Sequence, residues 1–315
     1  MQTMKTMRGG FAALLMLAMA VVTDAAEPPA APLYAGEIPN AIQVADEESL
    51  RSASDPWPFY QNISRPTITA YKPAKQDPKR TAVIILPGGG YRGVSILKEG
   101  YNVARAFNEM GVTAFVVKYR TPSDRHMKDK KTGPLQDAQQ AIATVRRDAA
   151  KWQIDPARIG VMGFSAGGHL AATTGTMFKS PVLPQWRSAD VRPDFLMLIY
   201  PVVTFVDPAV HAGSRSMLLG DAPSQADRQR FSPQLNVSDE TPPTFLVHAA
   251  DDEVVPVANS IRFFEALQAR KIPAELMVYP AGGHGFGLNN ATTRDRWIER
   301  CRQWLQSQGW ISDER

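Results

Sequence analysis

The pentapeptide Gly163-Phe164-Ser165-Ala166-Gly167 follows the apolar run Ile159-Gly160-Val161-Met162 and opens onto the helix-compatible run His169-Leu170-Ala171-Ala172. That order is strand, tight turn, helix. A serine at such a turn sits on a strained backbone with its hydroxyl pointing out of the sheet, and the glycines two before and two after it let strand and helix approach closely. The same pentapeptide also occurs as a plain glycine-rich turn between strand and helix, so the rest of the chain has to decide its meaning.

At 315 residues the chain is long enough for one large domain with a well-buried core. Lys5 and Arg8 precede an apolar run over 11–22 and then the small residues Thr23, Ala25 and Ala26, the layout of a secretory signal peptide. Residues 1–26 are therefore expected to be removed near Ala25 or Ala26, giving an exported protein, periplasmic or extracellular. About a dozen apolar residues is short for a bilayer span, so no stable membrane insertion is expected after cleavage. Pro28, Pro29 and Pro32 make 27–35 an extended tether, and the folded domain is placed at 36–315.

Cys301 is the single cysteine, so no intramolecular disulfide forms, and it reads as a packed residue of the last helix. His126, His169, His211, His248 and His284 show no close-spaced ligand pattern, and neither a metal nor another cofactor is required. A formal charge of +4 is small for this length, and Lys128, Lys130 and Lys131 form a short solvated run, which speaks against a nucleic-acid partner.

From residue 67 the chain alternates. Short apolar runs at 67–71, 82–86, 112–118, 195–200, 244–249 and 274–279 read as strands. Segments 102–110, 134–152 and 258–269, and a final stretch through Trp297 and Trp304, have helical spacing. Continuous apolar strands separated by helices predict a mostly parallel sheet with helices on both faces. The polar, Gly- and Pro-punctuated stretch at about 202–242 interrupts this pattern and reads as an insertion near the mouth of a site.

A serine hydroxyl is a weak nucleophile at neutral pH and needs an imidazole base held by a carboxylate. After the elbow, the strand through Phe245-Leu246-Val247-His248 ends in Asp251-Asp252-Glu253. The strand through Leu276-Met277-Val278-Tyr279 ends in Gly282-Gly283-His284-Gly285. Acid and histidine thus leave the C-terminal ends of strands, where open α/β sheets bind ligands. Taken singly, the acidic run also reads as a solvated turn, and His284, His248 and His169 as loop or packed histidines. Their joint order Ser, Asp, His is that of α/β-hydrolases, and Ser165, Asp252 and His284 are taken as the triad. The oxyanion requires two backbone N–H donors. One is expected from Ala166 and the other from Gly89 or Gly90 in Leu86-Pro87-Gly88-Gly89-Gly90-Tyr91, a loop without the lysine of a phosphate-binding P-loop.

These residues carry a resemblance. Leu86-Pro87-Gly88-Gly89-Gly90-Tyr91, Lys98-Glu99-Gly100, Lys118-Tyr119-Arg120, Gly163 through Ala171, Pro242-Pro243-Thr244-Phe245 and Gly283-His284-Gly285-Phe286 look like the secreted bacterial α/β-hydrolases of the acetylxylan-esterase type. Those are related to hormone-sensitive-lipase-like and feruloyl-esterase-like carbohydrate esterases. The resemblance spans about residues 36 to 308 and implies the α/β-hydrolase fold and the triad above. Within it Asp252 is favoured over Asp251 because it stands three residues before Val255 in a D-x-x-V-P pattern. Pro87 replaces the histidine of the lipase-like His-Gly-Gly-Gly motif, so either of the two glycines remains a candidate donor. Some relatives bear an endoxylanase label, but glycoside hydrolysis needs two opposed carboxylates that a Ser-His-Asp arrangement does not supply.

The expectation is a serine carboxylesterase that removes acetyl or other small acyl groups from hemicellulose or its oligosaccharides through an acyl-enzyme. Its partner is an acylated carbohydrate. A prolyl-oligopeptidase-like peptidase shares the triad order but usually carries an extra propeller or cap domain, for which this chain has no room. A non-catalytic glycan-binding homologue would keep the pocket without turnover, and Trp57, Tyr60, Tyr91 and Trp186 are candidate sugar-stacking rings, each also explicable as ordinary packing.

Overall fold

The computed structural model describes residues 27–51, 57–206 and 208–313. Eight strands form the central sheet: β1 (Ala30–Pro32), β2 (Thr67–Tyr71), β3 (Ala82–Leu86), β4 (Thr113–Lys118), β5 (Ile159–Phe164), β6 (Phe195–Ile199), β7 (Thr244–Ala249) and β8 (Ala274–Tyr279). Their order is β1-β2-β4-β3-β5-β6-β7-β8. β2 runs antiparallel to both neighbours and all the other pairs are parallel. The mostly parallel sheet expected from the alternating pattern is therefore present.

Every residue of β3, β5, β6 and β7 is buried, which is why these strands read as unbroken apolar runs. Five principal helices lie around the sheet: α1 (Asn102–Glu109), α2 (Gly133–Arg147), α3 (Ser165–Met177), α4 (Ala258–Ala269) and α5 (Trp297–Ser307). On α5 the buried residues are Trp297, Ile298, Cys301, Trp304 and Leu305, a stripe at helical spacing that seats Cys301 in the core as expected. The single helix expected over 134–152 is divided: α2 ends at Arg147, and after Asp148 a short helix, Ala149–Trp152, follows.

The parallel register sets the functional edge. Leu86 pairs with Gly163, Phe164 with Ile199, Ile199 with Val247, and Ala249 with Tyr279. Strands β3, β5, β6, β7 and β8 thus end together, and the loops that leave them share one rim of the sheet.

One expectation changes. Residues 27–35 are not a free tether, because β1 pairs antiparallel with β2, and Leu33 and Tyr34 are buried. The Tyr34 hydroxyl donates to Asp137 Oδ1 at 2.8 Å, beside the buried Arg120–Asp137 ion pair. Proline is tolerated on an edge strand, where its missing N–H faces no partner, so a proline-rich stretch can still join a sheet. The polar stretch after Val202 holds two short helices, Ala212–Leu219 and Gln225–Arg230, and a 3₁₀ turn, Pro233–Leu235. Asn259 of α4 fastens its start, with Oδ1 accepting from the amides of Val203 and Thr204 and Nδ2 donating to the Ala209 carbonyl. Among the described residues no helix is long and apolar enough to cross a membrane. The apolar run and cleavage site expected within 1–26 lie outside the described residues.

Candidate active site

Ser165 stands where β5 turns into α3, at φ +51, a conformation a non-glycine residue adopts only when its surroundings impose it. The surroundings are steric. A Cβ on Gly163 would be driven into the backbone of Gly167, and one on Gly167 into the carbonyl oxygens of Leu86 and Pro87. The two glycines of the pentapeptide are therefore required by the close crossing of strand and helix.

Sequence positions 165, 252 and 284 converge on one chain of hydrogen bonds. Ser165 Oγ lies 2.8 Å from His284 Nε2, and His284 Nδ1 lies 2.6 Å from Asp252 Oδ2. The tautomer that satisfies both partners has Nδ1–H donating to Asp252 and Nε2 accepting the serine hydroxyl. The loop holding Asp252 is fixed by its own carboxylate: Oδ1 accepts from the amides of Val254 at 2.9 Å and Val255 at 2.8 Å. Asp251 has a different task, accepting the Gly283 amide at 2.8 Å and so tying the acidic loop to the histidine loop.

His248, at the end of β7, is a second partner of Asp252. Its Nε2 faces the Val255 carbonyl at 2.8 Å and Asp252 Oδ2 at 3.2 Å, both acceptors, so Nε2 carries the proton and Nδ1 accepts from Ser260. Burial pushes the Asp252 carboxyl up, but hydrogen bonds from His248 and His284, the charge of His284 and the Val255 amide together hold it well below the ordinary carboxylate range. Asp252 thus stays ionised wherever an imidazole titrates. His169, one turn into α3, is a packed histidine. Nε2 donates to the Phe231 carbonyl, Nδ1 accepts from Tyr91, the ring stacks on Phe205 at 4.4 Å, and burial lowers its pKa to about 4.

Ala166 is buried at the first turn of α3, next to the serine. In the glycine loop, the Gly88 amide donates to Glu99 Oε2 at 2.8 Å and is thereby occupied, while Gly89 and Gly90, the donors expected from the sequence, follow it in the same loop. His211, from the segment after Val202, stands beside this loop: its Cε1 lies 3.9 Å from where a Cβ on Gly90 would be. Burial, together with the charges of His284 and Arg92, holds its imidazole below the usual range.

A cleft of about 420 Å³ opens against His284, lined among others by Trp57, Lys98, Asn102, Phe286 and Asn289. The four candidate stacking rings separate here. Trp57 is 43% exposed and faces the cleft. Tyr91 is buried with its hydroxyl on His169, Trp186 donates to Gln140 Oε1, and Tyr60 is half-buried with the Lys118 ammonium over its ring.

Glu99, Tyr200, His211 and His248 surround the site without having been assigned a part in it from sequence. Only Glu99 left a signal, as the acidic residue of the Lys98-Glu99-Gly100 motif, and nothing in that motif says that the carboxylate is buried.

The family model BD-FAE matches residues 68–267, and that of the dienelactone hydrolase family matches residues 228–313. An acetylxylan esterase of Xylanibacter ruminicola is 36% identical over 238 residues, which cover 74% of this chain and 46% of that protein. Endo-1,4-beta-xylanase B of Butyrivibrio fibrisolvens is 36% identical over 227 residues, covering 71% of this chain and 35% of that protein. The chain thus spans less than half the length of these two relatives. The crystal structure of an acetyl ester-xyloside bifunctional hydrolase from Caldicellulosiruptor lactoaceticus superposes with a TM-score of 0.72 at 35% identity, covering 91% of this chain and 98% of that one. With the sheet order, the elbow and the matched span in agreement, the chain belongs to the BD-FAE family and has the α/β-hydrolase fold.

Proposed function

We propose that this protein is a serine carboxylesterase that releases acetyl or other small acyl groups from hemicellulose or its oligosaccharides. The observation that carries the reading is the continuous hydrogen-bonded chain Ser165–His284–Asp252 at the elbow. The similarity to an acetylxylan esterase and to an acetyl ester-xyloside hydrolase supports the substrate class.

In this mechanism Ser165 Oγ attacks the ester carbonyl while His284 Nε2 takes its proton, and Asp252 stabilises the imidazolium. The amides of Ala166 and of Gly89 or Gly90 hold the oxyanion. Collapse breaks the bond to the sugar oxygen, which His284 protonates. A water then gives its proton to the same imidazole and attacks the acyl-enzyme, releasing the carboxylic acid and restoring Ser165. Because His284 protonates the leaving oxygen, the sugar belongs on the side of the cleft that His284 lines, where Trp57 carries the Lys98 ammonium 5.5 Å over one face of its ring and Asn102 offers a polar contact. Export after removal of residues 1–26 is part of the same proposal and suits an enzyme for polymeric substrate.

The test is acetate release from acetylated xylan by purified mature protein, beside Ser165→Ala and a feruloylated arabinoxylan control. The expected outcome is acetate release that falls by several orders of magnitude in Ser165→Ala while the fold is retained. An unchanged rate in Ser165→Ala would remove the serine from the mechanism. Absence of release from either polymer, with a phosphonate still labelling Ser165, would keep the chemistry and discard the polysaccharide.

A further inference from the structure

Glu99 is the most unusual charged group near the site. It lies in the turn Leu97–Tyr101 before α1, it is 5% exposed, and among the described residues no cation forms an ion pair with it. Burying a carboxylate carries a desolvation cost of several kcal/mol, which an apolar side chain of the same size would avoid. Packing alone does not explain it.

Its two oxygens face two loops. Oε2 accepts the Gly88 amide at 2.8 Å, and Oε1 accepts the Tyr200 hydroxyl at 2.7 Å. Gly88 opens the glycine loop and lies against the elbow, since a Cβ placed on it would be 2.9 Å from Ser165 Cβ and 2.7 Å from Glu99 Oε2. The carbonyl of the preceding residue, Pro87, accepts the Tyr119 hydroxyl at 2.7 Å, so both sides of this peptide unit are held. Tyr200 follows β6 at φ +36, a conformation imposed on a bulky residue, and its hydroxyl accepts the Gly287 amide at 3.0 Å. The Tyr200 ring lies edge-on to His284 at 4.8 Å and to Phe286 at 4.6 Å, and the Gly287 carbonyl accepts from the Trp297 indole.

We propose that Glu99 is a positioning residue which, through Tyr200, ties the oxyanion loop to the histidine loop, so that the amide donors and the imidazole keep one register on Ser165. The tether runs Gly88 N–H to Glu99, Tyr200 O–H to Glu99, and Gly287 N–H to Tyr200. None of these groups touches the ester. The inference rests on the serine-esterase reading above, and it locates the fine alignment of that site in a buried carboxylate outside the triad. Burial raises the Glu99 carboxyl above the ordinary range, while the Tyr200 and Gly88 hydrogen bonds and the charges of His284 and Lys98 act the other way.

The experiment uses the mature protein with Glu99→Gln, Glu99→Ala, Tyr200→Phe and the double variant Glu99→Gln/Tyr200→Phe. Steady-state hydrolysis of p-nitrophenyl acetate and thermal unfolding are measured for each, with Ser165→Ala alongside. Removal of a whole oxyanion donor lowers kcat by about 10²–10³-fold, and a misaligned one forfeits part of that. Tyr200→Phe and Glu99→Gln are expected to lower kcat by about 10- to 100-fold with KM within about twofold of wild type. The double variant should fall no further than the worse single one, because both changes break the same tether. Should Glu99→Ala not fold, the other two variants still decide, since each keeps shape and volume. A kcat within about twofold of wild type in both folded single variants, or losses that lie in KM or simply add, would overturn the tether while leaving the esterase standing. A wild type without Ser165-dependent turnover would instead remove the serine reading and the tether's role with it.

Discussion

The two halves of the candidate site are held by different physics. On one side Ser165 and the glycine loop leave β5 and β3, strands buried along their whole length, and the elbow's shape follows from sterics: a positive φ at Ser165 and two glycines that admit no Cβ. On the other side, acid and histidine leave β7 and β8. β8 is the edge strand, with Val278 43% exposed, and the loops there are placed by side-chain hydrogen bonds. Asp252 holds two amides and two histidines, and Asp251 holds the Gly283 amide. Ser165 is thus set by backbone packing, whereas His284 is set by polar contacts that can adjust.

The contrast breaks most clearly at Asp252. Replacing it by asparagine keeps the volume but removes the charge that fixes the His284 tautomer and stabilises its imidazolium. A kcat lower by about 10⁴-fold is expected, beside a smaller loss of thermal stability, because the new amide N–H₂ faces N–H donors that both carboxylate oxygens accept in the wild type. Steady-state kinetics on p-nitrophenyl acetate beside a melting curve would show it. A large fall in melting temperature with modest loss of turnover would mean that the polar side, too, holds the fold together. Gly167→Ala asks the converse question of the steric side. The new Cβ meets backbone rather than a flexible side chain, so destabilisation of about 3 kcal/mol or more is expected, with activity lost in proportion to misfolding. Denaturant titration measures it, and a normally stable but inactive Gly167→Ala protein would count against sterics as the organiser of the elbow.

The same division explains what the sequence disclosed. Strands β3 to β7 were legible because burial on both faces makes them continuous apolar runs, and the edge strand β8 because its run Leu276-Met277-Val278-Tyr279 is apolar although half-buried. The elbow was legible because close approach demands glycine at fixed offsets. β1 was not, since Ala30, Ala31 and Pro32 are exposed on an edge and carry no periodic signal. That Ser165, Asp252 and His284 follow strands on one rim could be read from the sequence, but the wiring around them could not. A glutamate in a polar string gives no sign that it will be buried between Gly88 and Tyr200, and a tyrosine ending an apolar strand gives none that its hydroxyl will reach Gly287. The link from His248 to Asp252 is nearly local, four residues apart, yet it depends on how the chain turns after β7. Side chains whose partners are set by tertiary folding stay hidden until the sheet has aligned its ends.

A smaller effect tests whether the steric side has an acid sensitivity of its own. His169 on α3 has its pKa lowered to about 4 by burial, partly countered by its hydrogen bond to the Phe231 carbonyl. An unfolded histidine titrates near 6.5, so between about pH 6.5 and pH 4 the folded chain binds fewer protons at this position than the unfolded one. The contribution to stability is complete above about pH 6.5 and is lost as the pH falls toward 4, by an amount on the order of a few kcal/mol. Asp252 acts in a separate window: its carboxyl is depressed, so its contribution persists down to the ordinary carboxylate range and is lost only below it. Urea midpoints at pH 7.5 and pH 4.5 should therefore fall more steeply for wild type than for His169→Gln, which can still donate to Phe231 and accept from Tyr91 but does not titrate. Equal falls in the two proteins would move the acid sensitivity of the fold away from α3 and its buried histidine.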